Sequence, residues 1–250
     1  MRRLLKFIVK KIRHIIGIES LQNSINKLYV LEKCALRINS GINFKSQSDQ
    51  DLIVLAYFNN KKDGFFIDIG AFDGVAISNT YALEQIGWTG ICIEPLPEQF
   101  LNLQKNRKCD LYNVAIGEND DTTIEFIDAD GYSGFESTMS KNHKSRVKES
   151  FGELKKINVK TMTFGKLMQK YPERTHINYM SIDVEGGELA ILKTIDFSIF
   201  SFDIITIENN NKVEVDKYML EKGYHVLFDI GVDSIYIRDG DRTEMIYWYI

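Results

Sequence analysis

Acidic side chains stand at the ends of four predicted strands in this sequence, where a bound ligand could reach them. The first, Asp68, lies in the apolar stretch Phe65–Ile69, which runs into a loop with glycine at both ends, Gly70–Gly74. Glycine lets a ligand approach the backbone closely, so the loop predicts a ligand-binding turn. It lacks the dinucleotide fingerprint, and the Gly-Lys-Ser/Thr of a P-loop does not follow it. Because Asp68 would repel a diphosphate, it favours a ligand that carries cationic groups.

The second acidic residue, Glu94, ends the short predicted strand 91–94, which Pro95 terminates. It follows the glycine loop by about 20 to 25 residues, the spacing at which α/β nucleotide sites place a carboxylate that accepts hydrogen bonds from ribose hydroxyls. The pair of Asp68 and Glu94 therefore favours an adenosine ligand with positive charge, such as S-adenosylmethionine. Taken singly, Asp68 also fits an ordinary strand–helix turn, and Glu94 a surface cap of the next helix.

Three further carboxylates could act on an acceptor group. Asp183 and Glu185 follow the predicted strand 178–182, and Glu208 ends the predicted strand 204–207. In a parallel sheet the carboxyl ends of the strands form the ligand crevice. These side chains could deprotonate a hydroxyl, orient it, or hold a hard cation such as Mg²⁺, with Asp183 as the first choice. Helix capping and pairing with lysines are the alternatives, and the sequence leaves metal dependence undecided.

The segment from Asp128 to Ser150 is the least regular part of the chain and contains several glycines and serines. Polar insertions of this kind often carry the substrate side of a site, so we expect it to form part of the acceptor pocket, as a lid. His143 lies in this segment and could act as a base near neutral pH, although a solvated loop histidine is the commoner case.

These carboxylates require strands that alternate with helices, and the remaining pattern supplies both. Helices are predicted over 52–58, 97–106, 189–195 and 212–222, and directly after Gly74, where apolar residues recur at helical spacing as far as Ile86. Strands are predicted over 110–117, 224–229 and 234–238, the last two joined as an antiparallel hairpin. This alternation predicts an α/β fold with a mostly parallel sheet.

Length and charge narrow the class of protein. At 250 residues with 44% hydrophobic content, the chain is long enough for one sizeable core. The net charge is −4, but the first sixteen residues hold six Lys or Arg and no acid, which leaves 25 basic against 35 acidic residues in the rest. That balance excludes a general nucleic-acid binder, whose main domain would be basic. The scattered cysteines Cys34, Cys92 and Cys109 form no CxxC pair and indicate a reducing, cytoplasmic setting.

Residues 2–16 form a basic amphipathic segment that is too charged to span a bilayer, which takes ~18 uninterrupted apolar residues. One hypothesis is a helix that lies peripherally on the inner face of the membrane, with its basic side on anionic lipid. The other is a helix that packs on the domain or on a second subunit of a homo-oligomer. We predict a helical extension over 1–46 and a single catalytic domain over 47–250.

Four stretches of the sequence carry a resemblance to a known family, in this order: FFIDIGAFDG, SNTYALEQIGWTGICIEPLPEQF, LYNVAIG and YMSIDVEGGELAIL. From about Gln47 to about Arg238 the chain resembles the FkbM family of S-adenosylmethionine-dependent methyltransferases. The resemblance implies a class I methyltransferase fold, a Rossmann-like three-layer sandwich with a mostly parallel seven-stranded sheet and a C-terminal antiparallel hairpin. It also implies that Asn113 to Ala115 lie beside the adenine. The family usually has lysine where Ser181 stands, so it implies no role for that position.

The residues and the resemblance together predict a site and an activity. The predicted cofactor-binding residues are Asp68, Ile69, Gly70, Ala71, Asp73, Asn79, Glu94, Pro95, Asn113, Val114, Ala115 and Asp183. The predicted catalytic residues are Asp183, Glu185, Glu208 and His143. The resemblance implies methylation of a hydroxyl, either on a sugar of a glycan or glycolipid or on a small natural product. A non-catalytic, membrane-tethered scaffold that binds S-adenosylmethionine is the rival reading, and Asp68 disfavours an NAD oxidoreductase.

Overall fold

The computed structural model describes residue 32 and residues 41–128, 134–135, 155–209 and 211–240, and eleven strands lie in these ranges. They are β1 (Phe65–Ile69), β2 (Thr89–Ile93), β3 (Asp110–Tyr112), β4 (Ala115–Ile116), β5 (Thr123–Asp128), β6 (Gly134–Phe135), β7 (Lys155–Met162), β8 (His176–Ile182), β9 (Ser201–Glu208), β10 (Tyr224–Ile230) and β11 (Asp233–Arg238). Seven of them form the central sheet in the order β10-β11-β9-β8-β1-β2-β3. The sheet is parallel except for β11, which runs antiparallel to both of its neighbours. The predicted mostly parallel sheet with a late hairpin is confirmed.

The order of the strands determines where a ligand can bind. β1 lies between β2 and β8, because the chain first adds β2 and β3 on one side and later adds β8 and β9 on the other. At such a reversal the connections leave the two central strands in opposite directions, which opens a crevice at their carboxyl ends. β1 and β8 therefore frame the predicted site.

Helices cover both faces of the central sheet, which confirms the three-layer sandwich. They are α1 (Gln50–Tyr57), α2 (Tyr81–Gln85), α3 (Pro97–Asn106), α4 (Phe164–Met168), α5 (Glu188–Thr194) and α6 (Lys212–Glu221). The first three contribute Ile53, Leu83 and Leu103 to one buried core, and the last three contribute Leu167, Leu192 and Met219 to another. Because helices cover both faces, β1 is buried along its whole length, which explains its near-continuous apolar sequence. The helices predicted over 52–58, 97–106, 189–195 and 212–222 correspond to α1, α3, α5 and α6, and their ends agree to within two residues.

The prediction of a helix directly after Gly74 is wrong about where the helix begins, because α2 begins only at Tyr81. The intervening residues form a loop. Asp73 Oδ1 accepts hydrogen bonds from the backbone N–H groups of the two residues after Gly74, at 2.8 and 2.7 Å, and Ile77 has a left-handed φ of 51°. A side chain that satisfies backbone donors in this way competes with helix formation. The loop after β1 is therefore longer than the periodicity predicted.

A second sheet, in the order β4-β7-β5-β6, was not predicted. The sequence suggested one strand over 110–117, but the chain turns at Asn113, so that β3 joins the central sheet and β4 pairs with β7. Asn113 Nδ2 donates to the carbonyl oxygens of Glu94 and Pro95, at 2.8 and 3.1 Å, which fixes the chain at the turn. A small core connects the second sheet to the segment after β2; it contains Leu96, Ala115, Phe126 and Val159.

Several predictions fall outside the described residues. These are the amphipathic segment 2–16, His143 and most of the predicted lid, 128–150. Of the helices that the structure does describe, none combines the length and the apolar character that crossing a membrane requires. Ile42 and Phe44, which precede the predicted domain boundary, pack against the same core as α1.

Candidate active site

Four neighbouring strands bring a row of residues together at the carboxyl edge of the central sheet. The last residue pairs between β1, β8 and β9 are in register, so the residues that come next, Gly70, Asp183 and Glu208, stand side by side. The backbone N–H of Asp183 donates to the carbonyl oxygen of Ile69 at 3.0 Å, which continues this register past the end of β8. On β11, Asp233 pairs with Glu208. Three carboxylates and one glycine therefore form the row.

Gly70 lets the loop after β1 pass against the end of β8. Its φ is +92°, and a Cβ at this position would lie 1.8 Å from the carbonyl oxygen of Asp183. Both the backbone conformation and the lack of space require glycine here. The sequence suggested that this glycine makes room for a ligand, whereas the structure shows that it makes room for the protein's own backbone.

Asp68 lies beneath the loop and anchors it. The side chain is buried, and Oδ2 accepts a hydrogen bond from Thr80 Oγ1 at 2.6 Å. Burial raises the pKa of the Asp68 carboxyl, while the Thr80 hydroxyl and the charge of Arg107 act in the opposite direction. Asp68 also lines the pocket at this edge of the sheet. One carboxylate therefore holds the loop and borders the ligand space.

Arg107, which no sequence motif marks, ties the same loop to the end of α3. Its guanidinium is buried; it pairs with Glu84 and donates to the carbonyl oxygen of Gly74 at 3.1 Å and to Thr80 Oγ1 at 3.0 Å. A buried charge needs such partners, because an ion without them carries a penalty of several kcal/mol. The loop is thus fixed from α3 as well as from β1.

Glu94 fixes the loop from the end of β2. Its carboxylate is buried, with Oε2 accepting from the backbone N–H of Phe72 at 2.9 Å and Oε1 from that of Leu96 at 2.8 Å. Phe72 has a left-handed φ of 50°, and the hydrogen bond to Glu94 holds it in that conformation. The sequence predicted that this carboxylate binds ribose hydroxyls, and the side chain does line the pocket.

The pocket lies between the loop after β1 and the ends of β2 and β8. Predicted cofactor-binding residues form much of its lining: Asp68, Gly70, Ala71, Asn79, Glu94, Pro95 and Asp183. Glu185, a predicted catalytic residue, lines it as well. The structure therefore brings the glycine loop, Glu94 and the Asp-x-Glu segment into one pocket.

Five predicted cofactor contacts lie away from this lining. Ile69 and Val114 pack in the core on the side of α5, and Ala115 packs with the second sheet. Asp73 caps the loop after β1, and the amide of Asn113 donates to two backbone carbonyls. The side-chain amide of Asn113 therefore has a role in the turn, and the contact of residues 113–115 with an adenine stays a prediction.

The sequence did not single out the apolar part of the pocket. It is formed by Phe72, Ala76, Ile77, Leu96, Phe126 and Val184. Phe126 comes from β5 of the second sheet, and the alternation of polar and apolar residues over 123–126 is the signal that could have identified that strand. No comparable signal marks the left-handed turn that carries Ile77 into the lining.

A cluster of carboxylates lies at the acidic end of the pocket. Asp183, Glu185 and Glu208 each place one carboxylate oxygen within 4.8 Å of the others. Oε2 of Glu208 is buried and has no hydrogen-bond partner among the described residues. Glu188 differs, because its carboxylate accepts a hydrogen bond from the backbone N–H of Gly186 at 2.7 Å. Three of the four predicted catalytic residues therefore come together.

Burial and mutual repulsion raise the pKa values of this cluster. Burial is the larger cause for each carboxyl, and neighbouring carboxylates add to it. The pKa of Asp183 lies well above its ordinary value, that of Glu185 is raised to about 7 and that of Glu208 to about 9. Burial also raises the pKa of the neighbouring Asp233, to about 6. A carboxyl group with a pKa near neutrality suits a general base, because a good fraction of it is ionised at physiological pH and the ionised form is a stronger base than an ordinary carboxylate.

Strained backbone concentrates around the pocket. Phe72, Ile77 and Glu185 have left-handed φ angles of 50°, 51° and 56°, and all three line it. Such a conformation costs about 1–2 kcal/mol for a residue other than glycine, and it is rarest for a β-branched residue such as Ile77. Strain of this kind persists only where the surrounding structure holds it in place, and it clusters at active sites.

Ser181 stands where the resembling family usually has lysine, and it lies in a neutral polar network. Its Oγ accepts from Asn79 Nδ2 at 3.0 Å and is 3.4 Å from Thr206 Oγ1. Asn79 is 8% exposed, and its Oδ1 has no partner in the part of the chain that the structure describes. This position therefore supplies no positive charge to offset the carboxylates.

The pocket combines an apolar wall with acidic groups. Leu96 and Phe126 offer a surface for a planar base, Glu94 is placed to accept hydrogen bonds from a ribose, and Asp183 provides negative charge. Among the described residues the lining contains no Lys or Arg, so no cationic side chain there would offset the repulsion between a phosphorylated ligand and the carboxylates. The residues present fit an adenosine ligand that carries positive charge.

Solved structures with some similarity to this chain include several methyltransferases. Methyltransferase FkbM from Methylobacillus flagellatus KT is 12% identical with a TM-score of 0.45, over 88% of this chain and 60% of that one, so the chain spans less than two thirds of that protein's length. Precorrin-6y C5,15-methyltransferase from Geobacter metallireducens GS-15 is 12% identical with a TM-score of 0.40, over 76% of this chain and 87% of that one. A putative RNA methyltransferase from Pyrococcus horikoshii is 13% identical with a TM-score of 0.37, over 83% and 98%. No curated protein matches the sequence.

The family described as Methyltransferase FkbM domain matches residues 68–226, which is more than half of the chain. The match begins at Asp68 and ends within β10, so it includes the glycine loop, Glu94 and the carboxylate cluster. The chain therefore belongs to the FkbM methyltransferase family.

Proposed function

We propose that the protein transfers a methyl group from S-adenosylmethionine to a hydroxyl of a sugar, in a glycan or a glycolipid. Membership of a methyltransferase family implies S-adenosylmethionine as the methyl source. The observation that carries the proposal is the acidic end of the pocket, where Asp183 and Glu185 line the same space as Glu94. Such a site can bind a cationic adenosine ligand and accept a proton from the group that is methylated.

The residues that would hold the cofactor are those around the loop after β1. Glu94 would accept from the ribose hydroxyls, Asp68 and Asp183 would face the positive groups, and Leu96 and Phe126 would contact the adenine. When bound, S-adenosylmethionine supplies a methyl group that is already electrophilic. The main task of the protein is therefore to align the acceptor oxygen and to exclude water.

We assign the acceptance of the hydroxyl proton to Glu185. Its pKa of about 7 makes it a stronger base than an ordinary carboxylate while leaving about half of it ionised at neutral pH. Asp183, which is held by its backbone against the end of β1, would orient the same hydroxyl. Help from a positioned base typically contributes about 10²–10⁴-fold to a rate.

The number of oxygen acceptors at this end of the pocket supports a sugar as the acceptor. The carboxylates of Asp183 and Glu185 and the Oδ1 of Asn79 belong to one lining. Sugar hydroxyls are donors on adjacent carbons, and they can satisfy several such oxygens at once. A polyol without charge also avoids the repulsion that a phosphorylated acceptor would meet here.

Calorimetry with S-adenosylmethionine tests the cofactor side. Asp68→Asn removes the charge but keeps an oxygen for Thr80, and Glu94→Gln removes the ribose-binding charge; each should weaken binding at least about tenfold, or about 1.4 kcal/mol. Glu98→Gln, on the exposed surface of α3, is the matched control and should bind as the wild type does. Wild-type affinity in both pocket variants would contradict the assignment.

Transfer of a labelled methyl group tests the acceptor side. Wild-type protein is incubated with labelled S-adenosylmethionine and fractionated cell-envelope glycans, and the label is expected in neutral sugar fractions. Glu185→Gln should lower kcat by about 100-fold or more while the cofactor affinity stays within about threefold. Label that enters only low-molecular-weight material would point to a natural-product acceptor. Cofactor binding without transfer to any fraction would favour the scaffold reading.

We also propose a cytoplasmic location with peripheral membrane contact through residues 2–16. The support is the basic amphipathic pattern of that segment, which suits a surface of anionic lipid. Co-sedimentation with phosphatidylserine vesicles should be lost when residues 1–16 are deleted. Vesicle binding that survives the deletion would reject the contact, and a change of oligomeric state on deletion would show that the segment joins subunits instead.

A further inference from the structure

We propose that Asp183, Glu185 and Glu208 bind a divalent cation of the size of Mg²⁺ or Mn²⁺. The three side chains come from adjacent strand ends and from the turn after β8, and one oxygen of each lies within 4.8 Å of the others. Ligands on opposite sides of a Mg²⁺ ion, at about 2.1 Å each, are about 4.2 Å apart, and for Ca²⁺ the separation is about 4.8 Å. A limit of 4.8 Å on all three separations is therefore compatible with three oxygens that share one ion.

A second observation, independent of the acidic cluster, also indicates a ligand. Asn79 is 8% exposed and lines the same pocket as Asp183 and Glu185, yet its Oδ1 has no partner among the described residues. Its Nδ2 donates to Ser181 Oγ at 3.0 Å, so the amide cannot turn without breaking that bond. A buried acceptor without a donor costs about 1–3 kcal/mol, and native proteins seldom leave one unsatisfied. Water on a bound ion would supply the missing donor.

The charges favour a cation over any other ligand. Asp233 and Glu188 add two carboxylates around the cluster; Gln50 donates to Asp233, and a backbone N–H donates to Glu188. The three inner carboxylates are those that converge. A neutral ligand would leave their repulsion in place and an anion would increase it, whereas a cation removes it. A set of donors made only of oxygen selects a hard divalent ion.

The ion would have a direct use in the methyl transfer, and this part of the inference rests on the proposed function. Three protein ligands leave about three positions of an octahedral ion for water or substrate. Two hydroxyls on adjacent carbons could occupy two of these positions, and a hydroxyl on the ion would become more acidic. Each ligand residue offers one oxygen to the ion, so the second carboxylate oxygen of Glu185 would remain to accept the hydroxyl proton. The acceptor class that follows is a vicinal diol, such as a sugar with two neighbouring free hydroxyls.

The test measures the binding of Mn²⁺ to the full chain. The protein is first treated with a chelator and dialysed, and the electron paramagnetic resonance signal of free Mn²⁺ then reports how much added Mn²⁺ stays unbound. No methyl donor or acceptor is present. We expect one site tighter than about 1 mM, weakened at least about tenfold by Asp183→Asn and by Glu208→Gln. Asp233→Asn is the matched control: it removes a nearby charge, keeps an oxygen for Gln50, and should weaken binding by less than about threefold.

The outcomes separate this site from the methyltransferase proposal. Lack of a stoichiometric site, or an equal loss of affinity in all three variants, would overturn the cation site and leave the transfer proposal intact. Thermal unfolding gives a second readout, since Mn²⁺ should raise the Tm of the wild type more than that of Glu208→Gln. If one of the two ligand variants does not fold, the other decides the result, and Glu208→Asp tests the position of the oxygen at constant charge.

Discussion

Replacing Gly70 by alanine should separate the ends of β1 and β8. The new Cβ would lie 1.8 Å from the carbonyl oxygen of Asp183, and real Cβ atoms essentially never approach such an atom closer than 3.0 Å. The obstacle is backbone and not the tip of a flexible side chain, so no change of rotamer relieves it. The two strand ends must move apart by more than about 1 Å, which displaces Asp183 from the pocket.

Three contributions determine how far Gly70→Ala lowers the free energy of unfolding. Alanine at a φ of +92° costs about 1–2 kcal/mol. The hydrogen bond from the Asp183 N–H to the Ile69 carbonyl, 3.0 Å long, would break, for about another 1 kcal/mol. Residual overpacking adds about 1–3 kcal/mol. Together these predict a loss of about 3–6 kcal/mol in the free energy of unfolding, a large share of the about 5–15 kcal/mol typical of a domain.

Urea unfolding, followed by circular dichroism, measures this loss. Gly165→Ala is the control: Gly165 lies in α4, and a Cβ there would meet nothing within 4 Å. That variant should be more stable than the wild type by about 0.5–1 kcal/mol, since alanine is the better helix former. The reasoning would be refuted if Gly70→Ala unfolded within about 1 kcal/mol of the wild type and bound S-adenosylmethionine equally well.

Two further predictions concern the acidic cluster and the loop. In chelator-treated protein the free energy of unfolding should fall between about pH 5 and about pH 9. The pKa values of Glu185 and Glu208 rise to about 7 and about 9 on folding. The folded state therefore binds more protons than the unfolded state in that range, and raising the pH destabilises it. Glu208→Gln should flatten this slope and be more stable than the wild type at pH 8, by on the order of 2 kcal/mol; an unchanged slope in urea titrations contradicts this. Arg107→Met should lower the free energy of unfolding by about 3–5 kcal/mol, because Glu84 and Thr80 lose a buried partner; a loss under about 1 kcal/mol would show that the guanidinium does not hold the loop.

The central sheet was predictable because its strands are short apolar runs with clear ends. Phe65–Ile69 is buried on both faces, so almost every position is apolar, and Gly70 ends it. β8 is buried from Tyr179 to Ile182, and the acidic residues Asp183 and Glu185 follow it. Since parallel strands end at one edge, the sequence could predict that Asp68, Glu94 and Asp183 would meet there. It could not predict that Gly70 and Asp183 touch through their backbones, because register between distant strands is not written in either strand alone.

The parts that were missed depend on side-chain hydrogen bonds, some within a turn and some between distant segments. The helix expected after Gly74 is replaced by a loop, because Asp73 satisfies the backbone donors there and Arg107 fixes the carbonyl of Gly74. The strand expected over 110–117 is divided because Asn113 bonds to the chain after β2. Such side-chain contacts override local periodicity, and a single sequence contains no sign of them.

The anchors of the loop after β1 also determine when the pocket can form as the chain folds. Gly74 is held by Arg107, 33 residues later, and Asn79 by Ser181, 102 residues later. Contacts that span such distances form only after the intervening strands and helices have docked, since the chain must first lose the entropy of closing those long loops. A nascent chain that ends before β8 can contain the glycine loop and still lack the pocket. We therefore expect ligand binding to be the last property that returns when the protein refolds from denaturant.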